Sequence, residues 1–395
     1  MPSPPLYIIN ARIILPDTIL EKACLEIRDG RITGIFPDAY PTGGQQVIDA
    51  AGRYLAPGFV DIHVHGGGGH DFMDNSVGAY LAIARMHARF GTTSFMPTTL
   101  SCERDALLRT LELYEEADKL NSDGARFMGM HIEGPYFSMA QRGAQDPRFI
   151  RPPDPAEYEE IVRSFPVIKR WSAAPELDGA QALGRFLRAN HILPSIAHTD
   201  AIYEDVAEAF ANGYTHMTHF YSCMSGVSRR NAYRYAGVVE AGYLIDGMTV
   251  EIIADGHHLP PPLLKLVYKI KGPAKIALVT DAMRAAGMPP GESILGRLDD
   301  GLRVIVEDGV AKLPDRSAFA GSVATTIGLV KNMVKQADVS LHDAITMMTA
   351  TPARIMGVFD RIGSIETGKD ADLVIFDAGF HIHSTIINGR VVYTA

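Results

Sequence analysis

The sequence predicts an α/β fold, a (β/α)8 TIM-like barrel carrying a small β-sandwich domain formed by the N- and C-terminal segments. Three observations predict it. Eight apolar, strand-like runs begin near Gly58, Thr92, Phe127, Val167, Leu193, Thr215, Val250 and Lys275. They lie about thirty residues apart with amphipathic helical stretches between most of them, the repeat of a barrel of roughly 250 residues or more. Both chain ends, by contrast, carry short alternating strands. No GxGxxG turn opens a first helix, which disfavours a doubly wound open sheet.

In chain order, strands are predicted over Leu6–Ile14, Ala23–Ile27, Arg31–Ile35 and Gln46–Ile48, with Asp29-Gly30 turning a hairpin because that dipeptide tolerates the left-handed conformation such turns need. In the middle, Ser76 caps a helix through Arg89 that Gly91 ends. Glu103–Lys119 and Tyr203–Ala211 read as further helices, the latter closed by Asn212-Gly213. Gly296–Leu313 reads as an inserted hairpin turning at Asp308-Gly309, followed by helices over Ser322–Gln336 and Leu341–Ala350. Strand texture returns at Leu373–Phe376 and in a last pair around Ile386–Tyr393. Each end is too short to bury a core alone. A joint domain of residues 1–55 and 360–395 is therefore favoured over two separate decorations, with residues 56–359 as the barrel.

With 47% hydrophobic and 21% charged residues, the chain has ample material for a core, and disorder or fibrous repeats are excluded. A net charge of −9 gives no electrostatic support for nucleic-acid binding, although a locally basic pocket for a small anion is compatible with it. Cys24, Cys102 and Cys223 form no CxxC, arguing against disulfides or a thiolate zinc site. Met1-Pro2-Ser3-Pro4-Pro5 lacks the marks of a signal peptide, and no apolar run has spanning length, so a cytoplasmic location without membrane association is expected.

Chemistry concentrates at predicted strand ends. In Pro57-Gly58-Phe59-Val60-Asp61-Ile62-His63-Val64-His65 the period of two puts Asp61, His63 and His65 on one face. His-x-His alone fits two structural histidines as well as two ligands. Gly66–Gly69 then let the chain turn sharply. Glu133 closes the third strand, His198 the fifth, His219 the sixth and Asp281 the eighth, the barrel end where active sites are built. Imidazoles with carboxylates suit zinc or another first-row divalent ion. His131 and His216 are expected beside the ligands rather than on the metal, and His87, His342, His381 and His383 in structural or exposed roles.

These motifs resemble the amidohydrolase superfamily and, within it, the N-acetylglucosamine-6-phosphate deacetylases. The resemblance covers nearly the whole chain and rests on the segments 57–66, Gly129–Tyr136, Ala174-Pro175-Glu176, Ala197–Ala201, Ile253–His258, Val279–Met283 and Gly363–Val374. No lysine ends the fourth strand, unlike members with a carbamylated lysine. The resemblance implies that Glu133, His198 and His219 hold the principal metal and that His63 and His65, with Glu133 bridging, admit a second. The cofactor is then one or two divalent ions per subunit, zinc first, with iron, manganese or cobalt as alternatives. It further implies Asp281 as general base and acid, His258 as a substrate contact, and Arg230 or Arg229 as a phosphate contact supplied across a homodimer.

The chain departs from that pattern around the sugar. Ser222-Cys223-Met224 replaces an Asn-Ala-Met segment, Arg229–Arg234 replaces Arg-Glu-Pro-Gly, and Gln145 replaces a histidine that contacts the sugar. Ser222, Cys223 and Gln145 are accordingly expected at the substrate, while the Arg229–Arg234 run also fits a solvated basic face. The implied reaction is hydrolysis of the N-acetyl amide of an amino-sugar 6-phosphate. N-acetylglucosamine 6-phosphate comes first, with the galacto epimer or another N-acylated amine as the alternative. A barrel scaffold without catalysis would lack ligands or base, and here all are present.

Overall fold

In the computed structural model, residues 4–37 and 46–395 are described; the leaderless reading of Met1-Pro2-Ser3 lies outside the described residues. The two chain ends join. Leu373–Phe376 pairs antiparallel with Tyr54–Pro57, which lies parallel to Leu6–Ile14, so strands from both ends make one continuous eight-stranded sheet. Ile8, Leu25, Leu55, Leu373 and Ile386 share its own apolar core. Its hairpins turn where expected. Asp29-Gly30 has φ of 47° and 76°, and Asn388-Gly389 has 49° and 72°, the pair of positive values that matches the twist of the flanking strands.

Eight parallel strands form the barrel. Phe59–Val64 pairs with Thr92–Pro97, and Met130–Glu133, Ile168–Ala173, Leu193–Ile196, His216–Met217, Thr249–Ile252 and Ile276–Leu278 follow in sequential order. Parallel bridges Thr98–His131 and Val64–Ala282 link these two groups at both edges, so the ring closes. At the second junction the Asp281 N–H donates to His63 O at 3.0 Å and the His65 N–H to Ala282 O at 2.9 Å. Closure thus places the first and eighth strands' polar side chains next to each other. Helices Val77–Ala88, Arg104–Leu120 and Tyr203–Ala211 match the expected helices within a few residues. The inserted segment starts earlier than expected, as a three-stranded sheet from Gly291–Leu295 through Leu302–Glu307 to Val310–Lys312.

The four glycines after His65 serve two purposes. A Cβ on Gly66 would lie 2.3 Å from His70 O, and one on Gly67 would lie 1.9 Å from Met86 Cε, so these two permit close packing. Gly68 and Gly69 have φ of 63° and 89° and supply the turn itself.

His87, fully buried on the first barrel helix, bonds Gly66 O through Nε2 at 3.0 Å, and burial lowers its pKa to about 4. An unfolded chain protonates this imidazole near 6.5, so between those two values the native state binds fewer protons and stability falls as pH drops. The loss from this group is about 3 kcal/mol. Melting curves at neutral pH and at pH 4 are expected to converge by that amount in His87→Gln; an undiminished acid sensitivity would assign it to other groups.

Candidate metal centre and active site

Each sequence-predicted metal ligand reaches the same point at the C-terminal mouth of the barrel. His63 lies within its strand and His65 just past it, Glu133 ends the third strand, and His198 and His219 follow the fifth and sixth by two residues. The last two, with Asp281, have φ of 46°, 30° and 49°, left-handed values that turn the chain off the strand at a cost of order 1–3 kcal/mol each.

The Glu133 carboxylate is the hub. Its Oε1 lies 3.0 Å from His219 Nε2, 3.5 Å from His63 Nε2 and 3.6 Å from His198 Nε2, and its Oε2 lies 3.3 Å from His65 Nε2. Two sets of ligand atoms share it, His63–His65–Glu133 and Glu133–His198–His219. All five residues are at most 5% exposed.

The donor chemistry fits a divalent ion. His198 and His219 face each other Nε2 to Nε2 at 3.2 Å, as do His63 and His65. Two neutral acceptor nitrogens turned toward one another repel unless a proton or cation lies between them. Atoms bound about 2.0–2.1 Å from one tetrahedral ion lie roughly 3.3 Å apart, matching this spacing. One far ring atom in each pair is steadied: His198 Nδ1 meets Gln141 O at 2.9 Å, and His63 Nδ1 meets Glu251 Oε2 at 3.2 Å. Such outer partners fix tautomer and ring orientation.

Carboxylates dominate the electrostatics. Burial alone would lower His65, but Asp281 and Glu133 override it and hold its pKa at about 10. Burial likewise opposes ionisation of Asp281, yet His63 and His65 keep its carboxyl below the ordinary range. Asp281 Oδ1 sits 3.1 Å from His65 Nε2 and 3.5 Å from His63 Nε2. An ionised carboxylate at the edge of these two ligand groups is placed to take a proton from water.

The site opens into a cavity of about 240 Å³ lined by Gln145, Ser222, Cys223, His258, Asp281 and Phe319 among others. His258 Nδ1 is held by Asp255 Oδ2 at 2.7 Å, and its ring packs 4.5 Å from Phe319. Burial would raise the Cys223 thiol, but His198 draws it below its ordinary 9.0. Arg229 and Arg230 are not brought to this cavity within the chain. They lie exposed on a hairpin, Ser228–Arg230 paired with Tyr233–Tyr235, with Arg230 stacked 5.5 Å from the Tyr235 ring. His131 and His216 bond hydroxyls of neighbouring strands, Ser172 at 2.7 Å and Thr249 at 2.7 Å.

Sequence reasoning missed the layer beneath the ligands. Arg170 and Glu251, both wholly buried, form an ion pair in the barrel interior. Arg170 also donates to Thr218 Oγ1, Ser195 Oγ and Ile62 O at 2.7, 3.0 and 3.1 Å. Glu251 accepts from the His219 N–H at 3.1 Å as well as facing His63. Charged residues inside two otherwise apolar strands, Lys169 and Arg170 in Ile168–Ala173 and Glu251 in Thr249–Ile252, were the available signal. Phe319 and Leu295 were missed too, because the inserted segment reaches the cavity only through the fold.

The amidohydrolase family profile matches residues 54–392. The N-acetylglucosamine-6-phosphate deacetylase of Bacillus subtilis (strain 168) is 33% identical over 394 residues, covering 98% of this chain and 97% of its own. The N-acetylgalactosamine-6-phosphate deacetylase of Escherichia coli O157:H7 is 32% identical over 387 residues, covering 98% and 99%. Among solved structures, the N-acetylglucosamine-6-phosphate deacetylase of Pasteurella multocida superposes with a TM-score of 0.92 at 28% identity over 99% of this chain and all of its own. A substituted form of the Mycobacterium smegmatis enzyme, in complex with N-acetyl-D-glucosamine-6-phosphate, superposes at 0.90 with 27% identity, covering 99% and 100%.

Proposed function

The chain belongs to the amidohydrolase family, and from that membership together with the site we propose that it hydrolyses the N-acetyl amide of an amino-sugar 6-phosphate. The products are acetate and the free amino-sugar phosphate. The observation that carries the proposal is the Glu133 carboxylate set among four imidazoles, with Asp281 3.1 Å from one of them. We assign N-acetylglucosamine 6-phosphate as substrate. The departures at Gln145, Ser222 and Cys223 and the 32% identity to a galactosamine-type relative support the galacto epimer as the second reading.

A divalent ion, zinc in our reading, with iron, manganese or cobalt also suited to the set, supplies Lewis acidity that acidifies water and polarises the amide carbonyl. Glu133, His198 and His219 would hold it, and His63 and His65 with Glu133 would hold a second. Asp281 accepts the proton as water adds to the carbonyl carbon and returns it to the departing amine nitrogen, so the leaving group departs neutral. His258, fixed by Asp255, orients the sugar, while Ser222 and Cys223 line its pocket. The exposed arginines of the 228–235 hairpin meet the phosphate of a neighbouring subunit in a homodimer.

No helix among the described residues is long and apolar enough to cross a membrane, and the three cysteines are unpaired, which supports a cytoplasmic enzyme. Acetate release from the 6-phosphates of both epimers, with and without the phosphate, tests the substrate. Release from the gluco epimer is expected to lead, and to vanish after chelation and return with zinc. Equal rates on unphosphorylated sugars would reject a phosphate-reading site.

A further inference from the structure

We propose that Gln145 is a positioning residue for the shared metal carboxylate, fixing the plane in which the two oxygens of Glu133 meet the four imidazoles. Gln145 is 4% exposed, and both ends of its amide are committed. Its Nε2 donates to Glu133 Oε2 at 2.8 Å, and its Oε1 accepts from the Ser101 N–H at 2.9 Å. Chemistry fixes this orientation, since a backbone N–H requires an acceptor and a carboxylate oxygen a donor. The backbone is tied down too, with the Gln145 N–H donating to Arg142 O at 2.9 Å.

The consequence lies in the asymmetry of Glu133. Rotation of a glutamate's terminal torsion is soft, so an unrestrained carboxylate would swing its plane and draw its oxygens away from one imidazole or another. With Gln145 on Oε2, that oxygen stays at His65, and Oε1 stays among His219, His63 and His198. A residue placed by sequence at the sugar thus acts through the metal ligand, though it also lines the cavity. Outer partners of this kind are worth roughly 10–100-fold in metal affinity.

The inference rests on the metal reading above, and a substrate-free measurement separates the two. Zinc affinity is measured by chelator competition on the full-length protein, wild type beside Gln145→Leu, with circular dichroism to confirm folding. The variant is expected to bind zinc 10–100-fold more weakly. Zinc affinity equal to wild type, with KM raised instead, would overturn the proposal and make Gln145 a substrate contact. A wild type that binds no zinc would fail the metal reading itself. Gln145→Met, closer in length and equally unable to donate, decides the matter if the leucine variant does not fold.

Discussion

Asp281→Asn is expected to lower turnover by about 10²–10⁴-fold, the usual share of a positioned acid–base group, while metal content stays near wild type. The substitution keeps shape and removes the exchangeable charge. It is also compatible with the backbone, because Asp281 has φ of 49° and asparagine enters that region more readily than most residues. The main-chain bonds that close the barrel, from the Asp281 N–H to His63 O and from the Ser322 N–H to Asp281 O at 2.8 Å, do not involve the side chain. Glu133 and the four histidines remain to hold metal. Steady-state turnover with metal analysis checks this; turnover within a few-fold of wild type would show that another group moves the proton.

Glu251→Gln should produce the largest change in stability. Removing one partner of a buried ion pair leaves the other uncompensated, at about 3–5 kcal/mol. Here the orphan would be Arg170, fully enclosed by the barrel. Burial on its own would raise the Glu251 carboxyl, but Arg170, with His216 and His63, brings it well below its ordinary 4.5. A depressed carboxyl contributes stability that is complete above the unfolded value and lost as pH falls through the folded one. Wild type therefore keeps this contribution at neutral pH and sheds it only well below pH 4.5, whereas the variant lacks it throughout. Urea unfolding at neutral pH measures the difference. Replacing both partners, Arg170→Met with Glu251→Leu, should restore only part of it, since the lone charge is gone but the His219 N–H and Ile62 O lose their partners. A single variant as stable as wild type would place the pair outside the stabilising framework.

Those two variants mark how far the chain could be read before it was seen folded. His63, His65, Glu133, His198, His219 and Asp281 were legible because each lies near the end of an apolar strand or just past it, and a strand's polarity pattern is local. The same held for the Asp29-Gly30 and Asp308-Gly309 turns, where two adjacent residues suffice to define the conformation. The helix at Tyr203–Ala211 agreed residue for residue, since its periodicity and its closing Asn212-Gly213 lie within one short window. Arg170 and Glu251 were not legible, although their strands were. A charge inside an apolar strand declares itself only when the ring closes and the opposite strand supplies its partner, here 81 positions away.

By itself the sequence determined the alternation of strands and helices, the turns, and the side chains able to bind metal, because all follow from the chemistry of near neighbours. The tertiary structure alone decided how the strands of the two termini pair into one sheet, that Glu133 presents one oxygen to His65 and the other to His63, His198 and His219, and that Gln145 bonds that carboxylate. It also left Arg229 and Arg230 outside their own chain's cavity. Each of these depends on distances between residues remote in the chain, which are set by barrel closure and packing.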